Sequence, residues 1–192
     1  MATVAHPHLE TEEYLALQAS AGWILDIELI DGEGVVVPPT GPQASSVQGE
    51  LFLGLKQWQA QTDEQGLILQ DVFVAFPGHG FLAPDIAWWS AQRRPPQSQG
   101  AVDGIPDLVV EVLSPGTRAN DLGIKREVYM RSGVRELWLA DPDACSLTRV
   151  QPGADIDEVL SQSETLQSEL LDGFALDLAH AFSLYQRRTG SA

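Results

Sequence analysis

The chain has 192 residues, of which 44% are hydrophobic and 20% charged, and this composition is typical of a globular protein and excludes a disordered one. The formal net charge of −16 excludes a surface that is basic throughout, as in proteins that coat nucleic acids. The one cysteine, Cys145, excludes an internal disulfide framework and a cysteine-rich zinc site.

The first part of the chain predicts a helix followed by a hairpin. Residues 1–10 are expected to form a tail and residues 11–188 a single domain, with Thr11 capping the first helix. Asp31-Gly32 lies between two apolar runs, and this dipeptide is a strong signal for the turn of an antiparallel hairpin.

A second predicted helix carries a candidate acidic residue. After an expected loop at 37–46, apolar residues recur at helical spacing in the segment 47–61. Glu50 lies beside this apolar stripe, so we expect its carboxylate to face inward at the border of the helix.

The centre of the chain predicts several strands. Strand-like runs at 66–76 and 81–90 are separated by a glycine-rich turn. Residues 107–114 form a nearly continuous β-branched run, which is typical of a strand that is covered on both faces.

A helix and another strand follow this run. The helix is expected to begin at Asn120 or Asp121 and to end at Gly133, and an apolar strand follows it. Strand, helix and strand at this spacing predict a parallel crossover unit over 107–140. The C-terminal segment predicts a strand, a glycine turn and a short helix. The expected fold is therefore α/β, with a mixed sheet, an N-terminal antiparallel hairpin and a parallel crossover unit, flanked by helices.

Two carboxylates interrupt apolar strands and are candidates for a metal site. Glu111 stands within LVVEVL and Asp85 within LAPDIAWW, and a buried ionised carboxylate is costly unless a cation or hydrogen-bond donors compensate it. If the two strands are neighbours and Glu50 approaches from its helix, the three oxygens can hold Mg²⁺. Lys125 can bring an ammonium to the same place. The alternative is structural: Asp85 bonds a turn, and Glu111 pairs with Lys125 or Arg126.

The charge is unevenly distributed along the chain. Seven of the eleven bases, but only five of the twenty-seven acids, lie between residues 93 and 135. We expect a phosphate-bearing partner to meet this segment. The arginines predicted to contact nucleic acid are Arg93, Arg94, Arg118 and Arg126. The alternative is that these bases are simply solvated.

The tryptophans Trp88, Trp89 and Trp138 lie in the apolar strands. We expect them to form part of the core or of a subunit contact rather than platforms for stacking bases.

Two segments of the sequence resemble a known family. The segment PDIAWW at 84–89 and the segment from PDLVVEVLSPGTRAND to GVRELWLADP at 106–142 are similar to the Uma-two (Uma2) family of restriction-endonuclease-like proteins, which belongs to the PD-(D/E)xK nuclease superfamily. The likeness extends from TEEYLAL at residue 11 to the LLDGFALDL tail. It implies a restriction-endonuclease-like core.

The resemblance also implies roles for the candidate residues. Asp85 corresponds to the aspartate of the first motif and Glu111 to the acid of the second, both as metal ligands, and Glu50 corresponds to the additional acid of the first core helix. The chain departs from the pattern at Leu113, where the motif has lysine. The resemblance implies that Lys125 replaces that lysine from the following helix.

Two further acids, Asp107 and Asp121, are weaker candidates for the site. We expect Asp107 to have a role at the edge of a strand and Asp121 to begin a helix.

The function expected from the resemblance is Mg²⁺-dependent or Mn²⁺-dependent hydrolysis of phosphodiester bonds, with DNA as the preferred substrate. One alternative is an inactive nuclease fold that serves as a binding or assembly module, and another is a phosphohydrolase of small nucleotides. We expect a cytoplasmic protein without a signal peptide or a membrane-spanning helix. A homodimer is expected for two reasons: the strands are apolar and rich in tryptophan, and cutting two strands takes two active sites.

Overall fold

The computed structural model describes residues 10–21, 27–98 and 100–186 of the chain. Within these residues the helices are α1 (Thr11–Ala21), α2 (Pro42–Thr62), α3 (Arg118–Asn120), α4 (Arg126–Ser132) and α5 (Leu178–Gln186). The strands are β1 (Ile27–Ile30), β2 (Glu33–Val36), β3 (Leu67–Gln70), β4 (Val74–Phe76), β5 (Gly80–Leu82), β6 (Ile86–Trp89), β7 (Val102–Asp103), β8 (Leu108–Val112), β9 (Glu136–Asp141), β10 (Ser146–Val150), β11 (Glu158–Ser161), β12 (Thr165–Gln167) and β13 (Ala175–Asp177). Apart from Glu10, the predicted tail lies outside the described residues, as do residues 187 and 188 at the end of the predicted domain.

The strands form two larger sheets and a separate pair. One sheet has the order β11-β10-β9-β8-β6-β3, the other has the order β2-β1-β5-β4-β7, and β12 pairs with β13. β8 is parallel to β9 and antiparallel to β6. The predicted α/β class with a mixed sheet and a parallel crossover is therefore confirmed.

The six-stranded sheet is covered on both faces. Successive side chains of a strand point to opposite faces, so Val110 and Val112 of β8 pack in the core formed with α2, whereas Val109 packs in a second core with α4. Burial on both faces explains why the sequence of β8 is apolar almost throughout.

The predicted hairpin is confirmed. β1 and β2 are antiparallel, and both residues of the connecting turn have positive φ, 48° at Asp31 and 85° at Gly32. This conformation is the one that a two-residue hairpin turn requires. β1 also pairs with β5, so the hairpin forms one side of the five-stranded sheet.

Each of the two strand-like runs in the centre of the chain divides between the two sheets. The run at 66–76 gives β3 and β4, which are separated after Asp71, a residue with a φ of 52°. The run at 81–90 gives β5 and β6 on either side of Pro84, which has no N–H to donate to a strand ladder. As a result, Asp85 stands immediately before β6, where the chain passes from one sheet to the other.

The crossover connection is a kinked helix. A turn of π-helix at Asp121–Lys125 joins α3 to α4, and the backbone at Gly123 leaves the helical conformation. The connection begins at Arg118, earlier than predicted, because the carbonyl of Ser114 accepts hydrogen bonds from the N–H groups of Thr117 and Arg118. It ends at Gly133 as predicted, with a φ of 90°.

Candidate active site

Asp85 and Glu111 meet where the start of β6 lies beside the end of β8, two neighbouring strands in the interior of the six-stranded sheet. β6 and β8 are antiparallel neighbours with Ile86 opposite Val110, which brings the residue before β6 next to the end of β8. Asp85 Oδ2 accepts the N–H of Val112 at 2.5 Å, and the N–H of Asp85 donates to Glu111 Oε2 at 3.4 Å. Both side chains line a small pocket of about 30 Å³.

Glu111 points towards the crossover helix. It follows Val110 on β8, so its side chain faces away from α2 and towards α4. There Glu111 Oε1 lies 2.8 Å from Lys125 Nζ and accepts a hydrogen bond from the hydroxyl of Tyr129 at 2.5 Å. The helix thus supplies the two donors that a carboxylate needs in this buried position.

Lys125 lies in the middle of a group of carboxylates. Besides Glu111, its Nζ is 3.1 Å from Glu28 Oε1 and 3.4 Å from Asp121 Oδ1. All four side chains are at most 5% exposed. The chain therefore brings a lysine next to the second acid of the motif, although the position two residues after that acid is Leu113.

Glu28 and Asp121 are members of this cluster whose positions the sequence reasoning missed. Glu28 was not among the predicted site residues, and Asp121 was a weaker candidate that was expected to begin a helix. Glu28 lies in β1 between Ile27 and Leu29, so the signal that marked Glu111, a carboxylate inside an apolar strand, was present there too. Glu28 Oε1 also accepts the N–H of Ala83 at 2.7 Å, which ties the hairpin to the start of β6.

Burial makes ionisation unfavourable for the acids of the pocket. It raises the pKa of Asp85 from 3.8 to about 6, against the opposing effects of the Val112 N–H and the Lys125 ammonium. Burial likewise raises the pKa of Glu111 well above its ordinary value, although Lys125 opposes the shift. Nearby carboxylates, Asp121 among them, raise both values further.

Lys125 remains charged in spite of its burial. Burial alone lowers the pKa of an ammonium, but the carboxylates of Glu111 and Glu28 outweigh that effect and hold the pKa of Lys125 well above its ordinary value. The pocket and the cluster around Lys125 together therefore contain one ammonium and four acids, namely Glu28, Asp85, Glu111 and Asp121. Binding a proton or a divalent cation reduces the repulsion among them.

The structure does not bring Glu50 to this pocket. Glu50 Oε2 lies 3.2 Å from His180 Nε2 of α5, and the carboxylate is 17% exposed. The reason is the geometry of α2. Gln48 faces the sheet and donates hydrogen bonds to Asp71 Oδ1 and to the carbonyl of Asp85. Glu50, two residues later, is rotated by about 200° and faces α5. It lies at the border of the helix as expected, but beside a different neighbour.

Arg93 and Arg94 lie at the opposite end of β6 from Asp85, about 13 Å of strand away. Arg93 Nη1 is 3.2 Å from Asp107 Oδ1, and Arg94 Nη1 donates to the carbonyl of Gln65 at 3.0 Å. Asp107 is completely buried and also accepts the N–H of Ser90. These contacts give Asp107 the strand-edge role expected for it, and they place Arg93 and Arg94 away from the candidate site. The contact of these two arginines with nucleic acid stays a prediction.

Arg118 and Arg126 lie on the kinked crossover helix, close in sequence to Asp121 and Lys125. Arg118 Nη2 is 2.7 Å from Asp141 Oδ2, and Arg126 Nη1 is 2.8 Å from Asp157 Oδ2. Both guanidinium groups are thus paired, although each side chain keeps more than a third of its surface exposed.

The tryptophans of the strands belong to the core. Trp88 is 3% exposed, and Trp89 and Trp138 are completely buried. They are therefore available neither for stacking bases nor for a subunit contact, which removes one of the two reasons for expecting a homodimer.

The donor chemistry of the pocket fits a hard divalent cation held by two protein carboxylates. Asp85 and Glu111 supply oxygen donors, and Mg²⁺ in proteins is commonly held by one or two carboxylates while water or phosphate completes its coordination. Within the described ranges, no three His, Cys, Asp or Glu side chains converge closely enough to hold an ion. The pocket therefore does not fit the predicted set of three ligands, Glu50, Asp85 and Glu111.

Comparisons with known proteins concern the family and the fold of the chain. A family model named Uma2 and described as "Putative restriction endonuclease" matches residues 11–179. The structure resembles the crystal structure of "a putative nuclease belonging to DUF820" from Anabaena variabilis, with a TM-score of 0.76 and 20% sequence identity, covering 91% of this chain and 98% of that one. No curated protein matches the chain. Among the described residues, no helix is long and apolar enough to cross a membrane.

Proposed function

Because this chain belongs to the Uma2 family of restriction-endonuclease-like proteins, we propose that it is a Mg²⁺-dependent or Mn²⁺-dependent nuclease with DNA as its preferred substrate. The observation that carries the proposal is the 2.8 Å contact between Lys125 Nζ and Glu111 Oε1 beside Asp85. It supports the idea that the kinked crossover helix supplies the lysine that is missing at Leu113.

Each group of the pocket has a role in such a reaction. Asp85 and Glu111 would hold the metal ion, which when bound would polarise the phosphodiester and lower the pKa of a coordinated water. Lys125 would stabilise the negative charge that develops on the phosphate oxygens. Glu28 and Tyr129 keep Lys125 and Glu111 in place through the contacts described above.

Nucleic acid would approach from the side of Arg118 and Arg126. Both lie on the crossover helix, and exchanging a carboxylate partner for a phosphate would keep each guanidinium paired. We further propose a cytoplasmic homodimer, since two sites are needed to cut two strands and the single cysteine suits a reducing compartment. Sedimentation equilibrium of the purified protein tests the dimer.

The decisive experiment is a hydrolysis assay with a matched pair of variants. Plasmid, single-stranded DNA, RNA and a small phosphodiester are incubated with the wild type in Mg²⁺, Mn²⁺ or EDTA. We expect cleavage of DNA that requires the metal and is lost in Glu111→Gln. Glu136→Gln is the control, because Glu136 is also a completely buried glutamate of the central strands but contacts Trp138 and Gln151, away from the pocket.

A second candidate function has its own supporting observation. Arg93, Arg94, Arg118 and Arg126 all have protein partners, and the chain carries a net charge of −16. Both features favour a binding or assembly module that has kept the nuclease fold without its activity. Absence of hydrolysis of all four substrates, in either metal, would favour this alternative. Cleavage of the small phosphodiester alone would favour a phosphohydrolase of small nucleotides.

A further inference from the structure

Three carboxylates surround the ammonium of Lys125. An ammonium has three donors and no acceptor, and Nζ has three acidic neighbours, Glu111, Glu28 and Asp121, at 2.8, 3.1 and 3.4 Å. The side chain is 5% exposed. Because these carboxylates crowd an almost completely buried ammonium, a phosphate oxygen that reaches it would take the place of one of them.

Glu28 and Glu111 are held in place by donors other than Lys125. The N–H of Ala83 donates to Glu28 Oε1 at 2.7 Å, and the hydroxyl of Tyr129 donates to Glu111 Oε1 at 2.5 Å. Removing either carboxylate from Lys125 would disturb these hydrogen bonds as well.

Asp121 is held less firmly. Its contact with Lys125 is the longest of the three, and its Oδ1 is buried without a hydrogen-bond partner in the part of the chain that the structure describes. Asp121 is 2% exposed and lines the same pocket as Asp85 and Glu111. It also begins the π-helical turn, two residues before the kink at Gly123. A buried acceptor without a hydrogen bond is costly, so Asp121 is the neighbour that is easiest to displace.

We propose that Asp121 occupies, in the resting protein, the place on Lys125 that a substrate phosphate takes. Asp121 is then a positioning residue that competes with the substrate. It compensates Lys125 while the pocket is empty and makes binding of an anion weaker than it would otherwise be. This inference rests on the proposed function only in taking Lys125 as the group that meets the phosphate.

The test uses inorganic phosphate and no metal. Isothermal titration calorimetry in EDTA compares wild type, Asp121→Asn and Glu127→Gln. The control removes the same charge from α4, but from an exposed ion pair with Arg131. We expect Asp121→Asn to lower the dissociation constant for phosphate at least about tenfold, because two like charges this close repel strongly in a poorly solvated site. We expect Glu127→Gln to have no effect and Lys125→Met to abolish the gain in the Asp121→Asn background.

A residue with only a structural role would not improve phosphate binding when it is changed. If Asp121→Asn does not fold, as judged by near-ultraviolet circular dichroism, Asp121→Ser provides the same comparison. Phosphate affinity that is equal to or weaker than that of the wild type in the folded variant overturns the inference, whatever the hydrolysis assay shows. A wild type that hydrolyses no phosphodiester contradicts the proposed function and leaves the affinity comparison to be judged separately.

Discussion

At the scale of single residues, ionisation of Asp85 weakens the metal-free fold. Burial raises its pKa from 3.8 to about 6, so the folded protein binds this proton more tightly than the unfolded chain does. The protonated carboxyl group of Asp85 therefore favours the folded protein at low pH. This stabilisation is lost as the pH rises from 3.8 to the folded-state pKa of about 6. Above about pH 6 the loss amounts to about 3 kcal/mol, at about 1.4 kcal/mol for each pKa unit.

Asp85→Asn is therefore expected to stabilise the metal-free protein at about pH 8 and to stabilise it much less at about pH 4.5, where Asp85 is still neutral in the folded protein. The amide oxygen of asparagine can still accept the N–H of Val112. Urea unfolding in EDTA at the two pH values measures the difference. If the variant is less stable at the higher pH, Asp85 serves as a satisfied structural acceptor and does not carry the proposed strain.

The same residue determines the response to a cation. We expect Mg²⁺ or Mn²⁺ to raise the melting temperature of the wild type, by a linkage energy of about 2.7 kcal/mol when the free ion is at about a hundred times its dissociation constant. EDTA should reverse the shift, and Asp85→Asn should lose most of it. A wild type whose thermal melt is indifferent to both ions contradicts the metal site.

Variants of Lys125 and Glu28 together separate the contribution of Lys125 to catalysis from its contribution to stability. Lys125→Ala should abolish hydrolysis and also destabilise the fold by about 3–5 kcal/mol, because it leaves buried carboxylates without their cation. Adding Glu28→Gln removes one of those charges, so the double variant should regain part of the stability but no activity. Chemical unfolding and the hydrolysis assay, run on both proteins, decide the matter. Activity that returns together with stability would make Lys125 a structural ion-pair partner only.

At the scale of elements, the stability of the crossover helix depends on the backbone conformation of the residue that ends it. Gly133 has a φ of 90°, a conformation that costs other residues about 1–2 kcal/mol. Gly133→Ala should therefore destabilise the protein by about that amount. Gly49→Ala is a control of opposite sign, since Gly49 is exposed within α2 and an added methyl group meets nothing within 4 Å. Alanine there should stabilise the helix by about 0.5–1 kcal/mol. Equal effects of the two substitutions on the free energy of unfolding in urea would contradict the left-handed conformation of Gly133 at the end of α4.

The length of α2 shows how a loop signal can hide a helix start. The proline-rich stretch before residue 47 predicted a loop, yet α2 begins at Pro42. Proline is tolerated in the first turn of a helix, because the N–H that it lacks has no partner there in any case. The five additional residues bring Ala44 into the core that packs on the six-stranded sheet.

At the scale of the whole molecule, a net charge of −16 opposes binding of nucleic acid, so we expect the affinity for DNA to be weak and to fall steeply with salt. Arg118→Gln and Arg126→Gln should weaken binding further and reduce the salt slope by about one for each phosphate contact that is lost. Arg94→Gln is the control, because Arg94 contacts Gln65 at the far end of β6. Fluorescence anisotropy with a DNA duplex at several salt concentrations provides the comparison. A larger effect of Arg94→Gln than of Arg118→Gln would place the nucleic-acid surface elsewhere.

The sequence by itself determined those features whose signals are local. The dipeptide Asp31-Gly32 predicted the hairpin turn, because these residue types adopt positive φ readily. The continuous apolar run marked β8 as a strand that is covered on both faces. The spacing of strand, helix and strand predicted a parallel crossover. A carboxylate inside an apolar strand is also a local signal, because its burial demands a partner wherever the strand lies. It marked Asp85 and Glu111, and it was present at Glu28 as well.

Only the tertiary structure decided which partner each charge finds. Glu50 and Glu28 were both acids beside apolar residues, but the rotation of α2 turns Glu50 towards His180, whereas the pairing of β1 with β5 brings Glu28 to Lys125. The arginines acquired carboxylate or carbonyl partners for the same reason. Contacts between distant segments depend on strand register and helix rotation, which are set by the packing of the whole core rather than by neighbours in the chain.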